Sequence, residues 1–214
     1  MSVAAWVVLG LAGVFAVSDW IAVSPRVQSR LIEYACKPAT TALLVAVALL
    51  LEPLDPAQRG WFVAALILSL AGDVFLMLPK DAFVPGLASF LLAHVAYVGG
   101  LRLEDPSGRV IAVTAVAVVG VGLPVLLRMI RGARAQGHPE MAVPLTAYVC
   151  VISAMVVFAF GARDAVAAGA AVLFFTSDAM IGWDRFVRPL PWVRPAIMAT
   201  YHLAQAGFVL SLLR

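Results

Sequence analysis

Long apolar stretches alternate with short polar connections along the whole 214-residue chain. A helix that crosses the hydrocarbon core of a bilayer needs about 20 mostly apolar residues. The connections carry Pro, Gly and charged residues, which is typical of loops. The pattern therefore predicts an all-α, polytopic transmembrane helical bundle of about eight spans. The predicted spans are Val3–Val23, Leu31–Leu51, Trp61–Leu78, Phe83–Leu101, Val110–Leu127, Met141–Phe160, Ala165–Gly182 and Pro195–Leu213.

The composition excludes a water-soluble monomer. Apolar residues make up 63% of the chain and charged residues 13%, and the mean hydropathy is +0.99. A soluble domain is about half apolar and about a quarter charged. Eight spans with short loops use the whole chain, so we expect residues 1–214 to form a single transmembrane domain. Any functional site must then lie between the helices.

The distribution of basic residues predicts the orientation of the bundle. Loops 2, 4 and 6 and the tails hold five Lys and Arg residues, and the odd-numbered loops hold nine. By the positive-inside rule the odd loops face the cytoplasm, and the net charge of +3 then reflects these loops rather than nucleic-acid binding. We expect a bacterial-type inner or plasma membrane. The nine odd-loop residues are Arg26, Arg30, Lys80, Arg128, Arg131, Arg134, Arg185, Arg188 and Arg194.

Three ionisable residues stand out inside the predicted spans, namely Lys37, Asp73 and Asp178. Such a side chain at mid-bilayer costs about 2.5–3.5 kcal/mol, so it needs a partner or a task. Counted along their helices, all three lie in the half of the bilayer next to the odd loops. A polar cavity open to the odd-loop, cytoplasmic face explains this coincidence. Further candidates at similar depth are His94, Tyr97, Tyr201, His202 and Gln205.

Each of these residues also has a structural interpretation. Asp19, near the end of the first span, is typical of an interfacial residue. Lys37 is close enough to its helix end for its side chain to reach the headgroups. Asp73 and Asp178 are too short to do so, and their structural alternative is an ion pair or a hydrogen bond between helices. His94 has the alternative of a hydrogen-bonded histidine within the bundle.

Two parts of the sequence resemble each other. Gly72-Asp73 in the third span matches Ser177-Asp178 in the seventh. The spans that follow them have the patterns FxxxHxxY from Phe90 and YxxxQxxF from Tyr201. Both patterns place an aromatic, a polar and an aromatic side chain on one helix face. The match predicts a same-direction repeat of four plus four helices, with both Asp residues facing one shared cavity.

Two carboxyl groups close together in a medium of low dielectric constant do not both ionise readily. Asp73 and Asp178 can therefore act as an acid and a base, which suits hydrolysis. A zinc site built from these two residues with His94 and His202 is the competing interpretation, but HxxxH and HExxH motifs are absent from the sequence. There is also no GxSxG motif and no phosphate-binding glycine loop. We expect neither a metal nor another cofactor.

The segments CKPATT, SLAGDVFLMLP, FLLAHVAY, FFTSDAMIG and YHLAQAGF together resemble the YhhN-like lysoplasmalogenase family of integral-membrane proteins. The resemblance extends from Lys37 to Gln205. It implies hydrolysis of the vinyl-ether bond of a lysophospholipid, giving a fatty aldehyde and a glycerophospho-ethanolamine or -choline. It implies membrane lipid as surroundings and no obligate protein partner. The implied site, which leaves out Asp19 and His202, is Lys37, Asp73, His94, Tyr97, Asp178, Tyr201 and Gln205.

Under this hypothesis Asp73 and Asp178 are catalytic. One of them delivers a proton to the vinyl carbon, and the other stabilises the cation and deprotonates water. Lys37 and Tyr201 bind the phosphate end, with the alkenyl chain between helices. Two other classes stay open. A transporter of a small solute or lipid also uses repeats and polar groups near the midplane, and a lipid-binding protein without catalysis needs the same surfaces.

Overall fold

The computed structural model describes residues 1–79 and 82–213 of the chain. These residues form eight α-helices, which confirms the predicted helical bundle. Two 3-10 turns, Arg102–Glu104 and Pro139–Met141, precede the fifth and sixth helices. Lys80 and Arg214, two of the basic residues on which the predicted orientation is based, lie outside the described residues. The helices are α1 (Val3–Ala22), α2 (Arg30–Leu50), α3 (Pro56–Met77), α4 (Phe83–Leu101), α5 (Gly108–Ala135), α6 (Ala142–Gly161), α7 (Ala165–Phe186) and α8 (Val193–Ser211).

The first seven of these helices are long and apolar enough to cross a membrane. The eighth, α8, has 19 residues but is more polar, because it carries Arg194, His202 and Gln205. The polar side chains of His202 and Gln205 are buried against the other helices. In contrast, α5 exposes a row of valines, including Val113, Val116 and Val119. The chain is therefore a multi-pass integral membrane protein whose polar groups turn inward.

Three helix ends differ from the predicted boundaries by more than two residues. The basic segment after Leu127 was predicted as a loop, but α5 continues to Ala135, so that Arg128, Arg131 and Arg134 lie on helix. Charged residues can extend a helix beyond the apolar core because their backbone still bonds within the helix. Similarly, α7 continues to Phe186. α3 begins earlier, because Asp55 caps it through the backbone N–H groups of its first turn.

The helices pack as consecutive pairs, α1 with α2, α3 with α4, α5 with α6, and α7 with α8. Across the two halves of the chain, α2 contacts α8, and α4 contacts α6. These two contacts are equivalent if α1–α4 and α5–α8 are related halves. One difference breaks the symmetry, because α1 also packs on α8 whereas α5 also packs on α7.

Glycines permit a close approach of α3 and α4. A Cβ atom at Gly72 would lie 2.6 Å from the ring of Phe90, and one at Gly100 would lie 2.7 Å from the ring of Phe62. Real Cβ contacts are not that short, so both positions need the absence of a side chain. Small residues at helix contacts of this kind drive packing in membranes. Gly72 thereby brings α4 against the segment of α3 that carries Asp73.

Candidate active site

Asp73 is the centre of the first part of the site. Its side chain is fully buried. Lys37 Nζ lies 3.3 Å from Oδ1. Oδ2 accepts hydrogen bonds from the hydroxyl of Thr41 at 2.9 Å and from that of Tyr201 at 2.7 Å. One carboxyl group is thus held by a cation and two hydroxyl groups from α2 and α8, a set that stabilises its charged form.

Three residues of α2 lead from the helix start to Asp73. Glu33, Lys37 and Thr41 are four positions apart, so they lie on one face of α2, one above the other. Glu33 accepts a hydrogen bond of 2.7 Å from Arg194 at the start of α8. The helix therefore presents an acidic, a basic and a hydroxyl side chain in succession between the odd-loop end and Asp73.

Asp178 is the centre of the second part. Its Oδ2 accepts a hydrogen bond from the hydroxyl of Tyr148 on α6. His94 Nε2 lies 3.6 Å from the same oxygen, which is too long for a direct hydrogen bond. Both ring nitrogens of His94 are buried without a hydrogen-bond partner among the described residues. No Lys or Arg forms an ion pair with Asp178 in the described part of the chain.

Aromatic rings connect the two parts. The ring of Phe174 contacts that of Tyr201, with 5.4 Å between the centroids, and that of His94, with 4.6 Å between them. Phe90 contacts both Phe174 and Tyr201. The neighbours of Asp73 and Asp178 are therefore in contact through a cluster of edge-on rings, and the two carboxyl groups are close enough to interact electrostatically.

Tyr97 and Gln205 form a pair in the core beside this cluster. The hydroxyl of Tyr97 donates a hydrogen bond to Oε1 of Gln205, and both residues are fully buried. The ring of Tyr97 stacks on Phe208 with 4.2 Å between the centroids. The pair joins α4 to α8, one turn from Tyr201 along α8. Tyr97 also contacts Phe174, so the pair lies directly beside the ring cluster.

An apolar groove ends at Asp178. Its cavity volume is about 50 Å³, and its walls come from α3, α4, α5, α6 and α7. Tyr148 and Asp178 are the two polar side chains among the described residues that line it. The groove therefore leads an apolar ligand directly to one carboxyl group. Other lining residues include Leu87, Phe90, Gly122, Val125, Met129 and Gly182.

Two structural interpretations from the sequence are wrong. Lys37 does not reach toward the headgroups, because its side chain is 6% exposed and forms an ion pair with Asp73. Asp19 is not interfacial, because its side chain is buried between α1 and its neighbours and has no exposed surface. His202 is directed away from Asp73, and its Nδ1 accepts a 3.0 Å hydrogen bond from Trp20.

Thr41 and Tyr148 were missed in the sequence. Thr41 lies 32 positions before Asp73, and Tyr148 lies 30 positions before Asp178. The predicted repeat, extended back by one helix, contains the signal, because both residues donate to the Asp of the following helix. Neither residue has a local motif that marks it, since its partner is defined only by helix packing.

The described residues hold no group of three His, Cys, Asp or Glu side chains arranged to bind a metal ion. His94 is next to Asp178, whereas His202 is turned toward Trp20. The four residues of the competing zinc interpretation are therefore divided between different surroundings. The arrangement instead offers two carboxyl groups for proton transfer, one beside a cation and one at the end of an apolar groove.

Fold and site together define a class of polytopic membrane protein with a pair of carboxyl groups buried in its helical bundle. The sequence profile of the YhhN family matches residues 32–212. The chain belongs to this family.

Several proteins named as lysoplasmalogenases are similar in sequence to the chain. A lysoplasmalogenase of Mycobacterium bovis is 40% identical over 158 residues, which cover 70% of this chain and 58% of the relative. Lysoplasmalogenase TMEM86B of Homo sapiens is 35% identical, covering 70% of this chain and 62% of the relative. The mouse TMEM86B is 32% identical, covering 91% and 80%. The chain thus spans about three fifths of the first two relatives. No solved structure matches the chain.

Proposed function

We propose that this protein is a membrane-embedded hydrolase that cleaves the vinyl-ether bond of lysoplasmalogens. The products are a fatty aldehyde and a glycerophospho-ethanolamine or -choline. The observation that carries the proposal is the pair Asp73 and Asp178, two buried carboxyl groups in different surroundings. The names of the relatives supply the substrate class.

Asp178 is the acid. Its surroundings are the apolar groove, the hydroxyl of Tyr148 and the ring of His94, and no Lys or Arg of the described residues forms an ion pair with it. A carboxyl group in such surroundings keeps its proton, because burial without a partner costs several kcal/mol for a charged group. It also lies where an alkenyl chain in the groove would end.

Asp73 is the base. The ion pair with Lys37 and the hydrogen bonds from Thr41 and Tyr201 all favour its carboxylate form. A carboxylate in this position stabilises a cation formed nearby and accepts a proton from water. The difference between the two environments is what divides the roles of acid and base.

The reaction follows from these roles. Asp178 gives its proton to the outer vinyl carbon, whose π electrons form the new C–H bond, and an oxocarbenium ion results. Water attacks the carbon of this ion while Asp73 accepts the water proton. The resulting hemiacetal breaks its C–O bond to glycerol, and the hydroxyl proton passes to the departing oxygen as the aldehyde forms. The remaining proton returns from Asp73 to Asp178.

Neighbouring side chains assist these steps. The faces of Phe90 and Phe174 carry partial negative charge, which stabilises a cation between the two carboxyl groups. His94, whose two ring nitrogens have no hydrogen-bond partner among the described residues, positions the vinyl ether beside Asp178. Tyr97 and Gln205 position Tyr201.

The groove and the polar face of α2 receive the two ends of the substrate. The alkenyl chain lies in the apolar groove, which is lined by Leu87, Val125 and Met129 among others. Lys37 binds the phosphate, because a lysine with three N–H donors can contact a phosphate and Asp73 together, whereas Tyr201 donates its single O–H to Asp73. The vinyl ether then lies between the two carboxyl groups.

The site opens toward the odd loops, which we place in the cytoplasm of a bacterial-type inner membrane. The basic side chains of Arg128, Arg131 and Arg134 at the end of α5 and of Arg194 at the start of α8 support this orientation. A cysteine introduced at His138 in the loop after α5 should react with a membrane-impermeant thiol reagent only after the cells are opened. Reaction in intact cells would reverse the orientation.

Aldehyde release tests the proposal. Purified protein in detergent should release a fatty aldehyde from a lysoplasmalogen, with and without a chelator, and should leave the matched ester lysophospholipid intact. Release that stops with the chelator would support the competing metal site. Solute or lipid movement in proteoliposomes without any aldehyde would identify a transporter instead.

A further inference from the structure

Asp19 is a buried carboxyl group of the site region that the proposed reaction does not use. It lies in the last turn of α1, and its side chain has no exposed surface. Both of its carboxylate oxygens lack a hydrogen-bond partner among the described residues. Burying an unpaired carboxylate is costly, so this position calls for a partner that the protein itself does not supply.

The neighbours of Asp19 form a charged cluster at the odd-loop end of the bundle. The charged groups near enough to act on Asp19 electrostatically are Lys37, Glu33, Asp73 and Arg194. Lys37 is engaged with Asp73, and Arg194 with Glu33. The cluster therefore contains one carboxyl group more than it has cations, and Asp19 is the carboxyl group left over. Its electrostatic complement is a cation.

The position of Asp19 along the path of the substrate suggests which cation. Asp178 lines the alkenyl groove between α4 and α7, and Asp73 pairs with Lys37 on α2, so these groups follow one another across the bundle from the groove to α2. A phosphate at Lys37 has the amine of its headgroup one ethanolamine length further on. Asp19, in the last turn of α1, lies at the same end of the packed pair α1 and α2 as Lys37, and its oxygens have no partner among the described residues.

We infer that Asp19, assisted by Glu33, is the subsite for the ammonium group of the lysophospholipid headgroup. The inference rests on the proposed function. The proposed function states which bond is cleaved, and the inference adds which headgroup the protein selects. On binding, the phosphate engages Lys37 while the ammonium pairs with Asp19. The zwitterionic headgroup thus meets an arrangement of opposite charges.

Three substrates and one substitution test the inference. The substrates share one alkenyl chain and carry phosphoethanolamine, phosphate alone, or an unsubstituted glycerol hydroxyl. In the wild type, KM for the phosphoethanolamine substrate should be about tenfold lower than that for the phosphate substrate, as one charge-assisted hydrogen bond would give. In Asp19→Asn this ratio of KM values should approach one.

The matched control is Glu104→Gln, which replaces a half-buried carboxyl group at the opposite end of the bundle, where Glu104 contacts Gln58. This variant should keep the wild-type ratio. An unchanged ratio in Asp19→Asn would overturn the inference. If Asp19→Asn does not fold, the wild-type protein still tests the inference. Equal KM values of the wild type for the phosphoethanolamine and phosphate substrates would also overturn the inference. Absence of aldehyde from all three substrates in the wild type would instead contradict the proposed function.

Discussion

The hydroxyl of Tyr201 donates a 2.7 Å hydrogen bond to Asp73, a residue 128 positions earlier in the chain. The bond joins α8 of the second half to α3 of the first. In the other direction, His94 of α4 approaches Asp178 of α7. Each carboxyl group is therefore approached by a side chain from the last helix of the opposite half, α8 for Asp73 and α4 for Asp178. This exchange explains how a repeated sequence pattern builds one composite site instead of two separate ones.

Tyr201→Phe should lower kcat by about 10- to 100-fold, which corresponds to one hydrogen bond to a charged group. The ring contacts with Phe90 and Phe174 persist in this variant, so the protein should keep its thermal stability to within a few degrees. Tyr34→Phe, at an exposed position of α2, is the control and should behave as wild type. A Tyr201→Phe variant with wild-type kcat would show that the hydroxyl of Tyr201 does not assist Asp73 in catalysis.

Lys37→Met should destabilise the protein. Removing one partner of a buried ion pair leaves Asp73 with an uncompensated charge, which costs about 3–5 kcal/mol. Thermal unfolding in detergent measures the loss. Adding Asp73→Asn to Lys37→Met should restore most of the stability but no activity. Arg109→Met removes an exposed cation at the start of α5 and should have little effect. Equal stabilities of the Lys37→Met and wild-type proteins would show that the ion pair contributes nothing.

Gly122→Leu should shorten the groove. A Cβ atom at Gly122 would make ordinary contacts, the nearest at 3.6 Å from Phe175, so the backbone tolerates a side chain there. The larger leucine fills space that lines the groove. We expect kcat/KM to fall about tenfold for a long-chain lysoplasmalogen relative to a short-chain one.

Gly120→Leu is the matched control on the same helix, because a Cβ atom at Gly120 meets no other atom within 4 Å. It should not change the preference for chain length. If both variants behave alike, the alkenyl chain binds elsewhere.

The helices could be predicted because the bilayer imposes a length and an apolar composition on each span. α4 begins at Phe83 and ends at Leu101, as predicted. The end of α5 could not be predicted in the same way, since hydropathy marks where the apolar core stops and not where the helix stops. The arginines after Leu127 are compatible with both a loop and a helix, and only the contacts of α5 with α6 and α7 decide between them.

The candidate residues of the site could be found because an ionisable group in an apolar span is conspicuous. The partners of these residues could not be found from the sequence, because helix packing determines them. Asp19 illustrates the limit, because its distance from the helix end is the same whether it faces the headgroups or the bundle. The direction in which α1 presents it depends on the packing of α1 against α2 and α8. Tyr148 was overlooked for the same reason, since a tyrosine in an apolar helix is unremarkable until its neighbour is known.

Aldehyde release by Asp73→Asn and by Asp178→Asn tests the central claim most directly. Each change keeps the size of the side chain and removes its ability to transfer a proton. We predict that release from a lysoplasmalogen falls about 100-fold or more in both variants, while thermal unfolding in detergent shows that both remain folded. Wild-type aldehyde release in either folded variant would contradict the account.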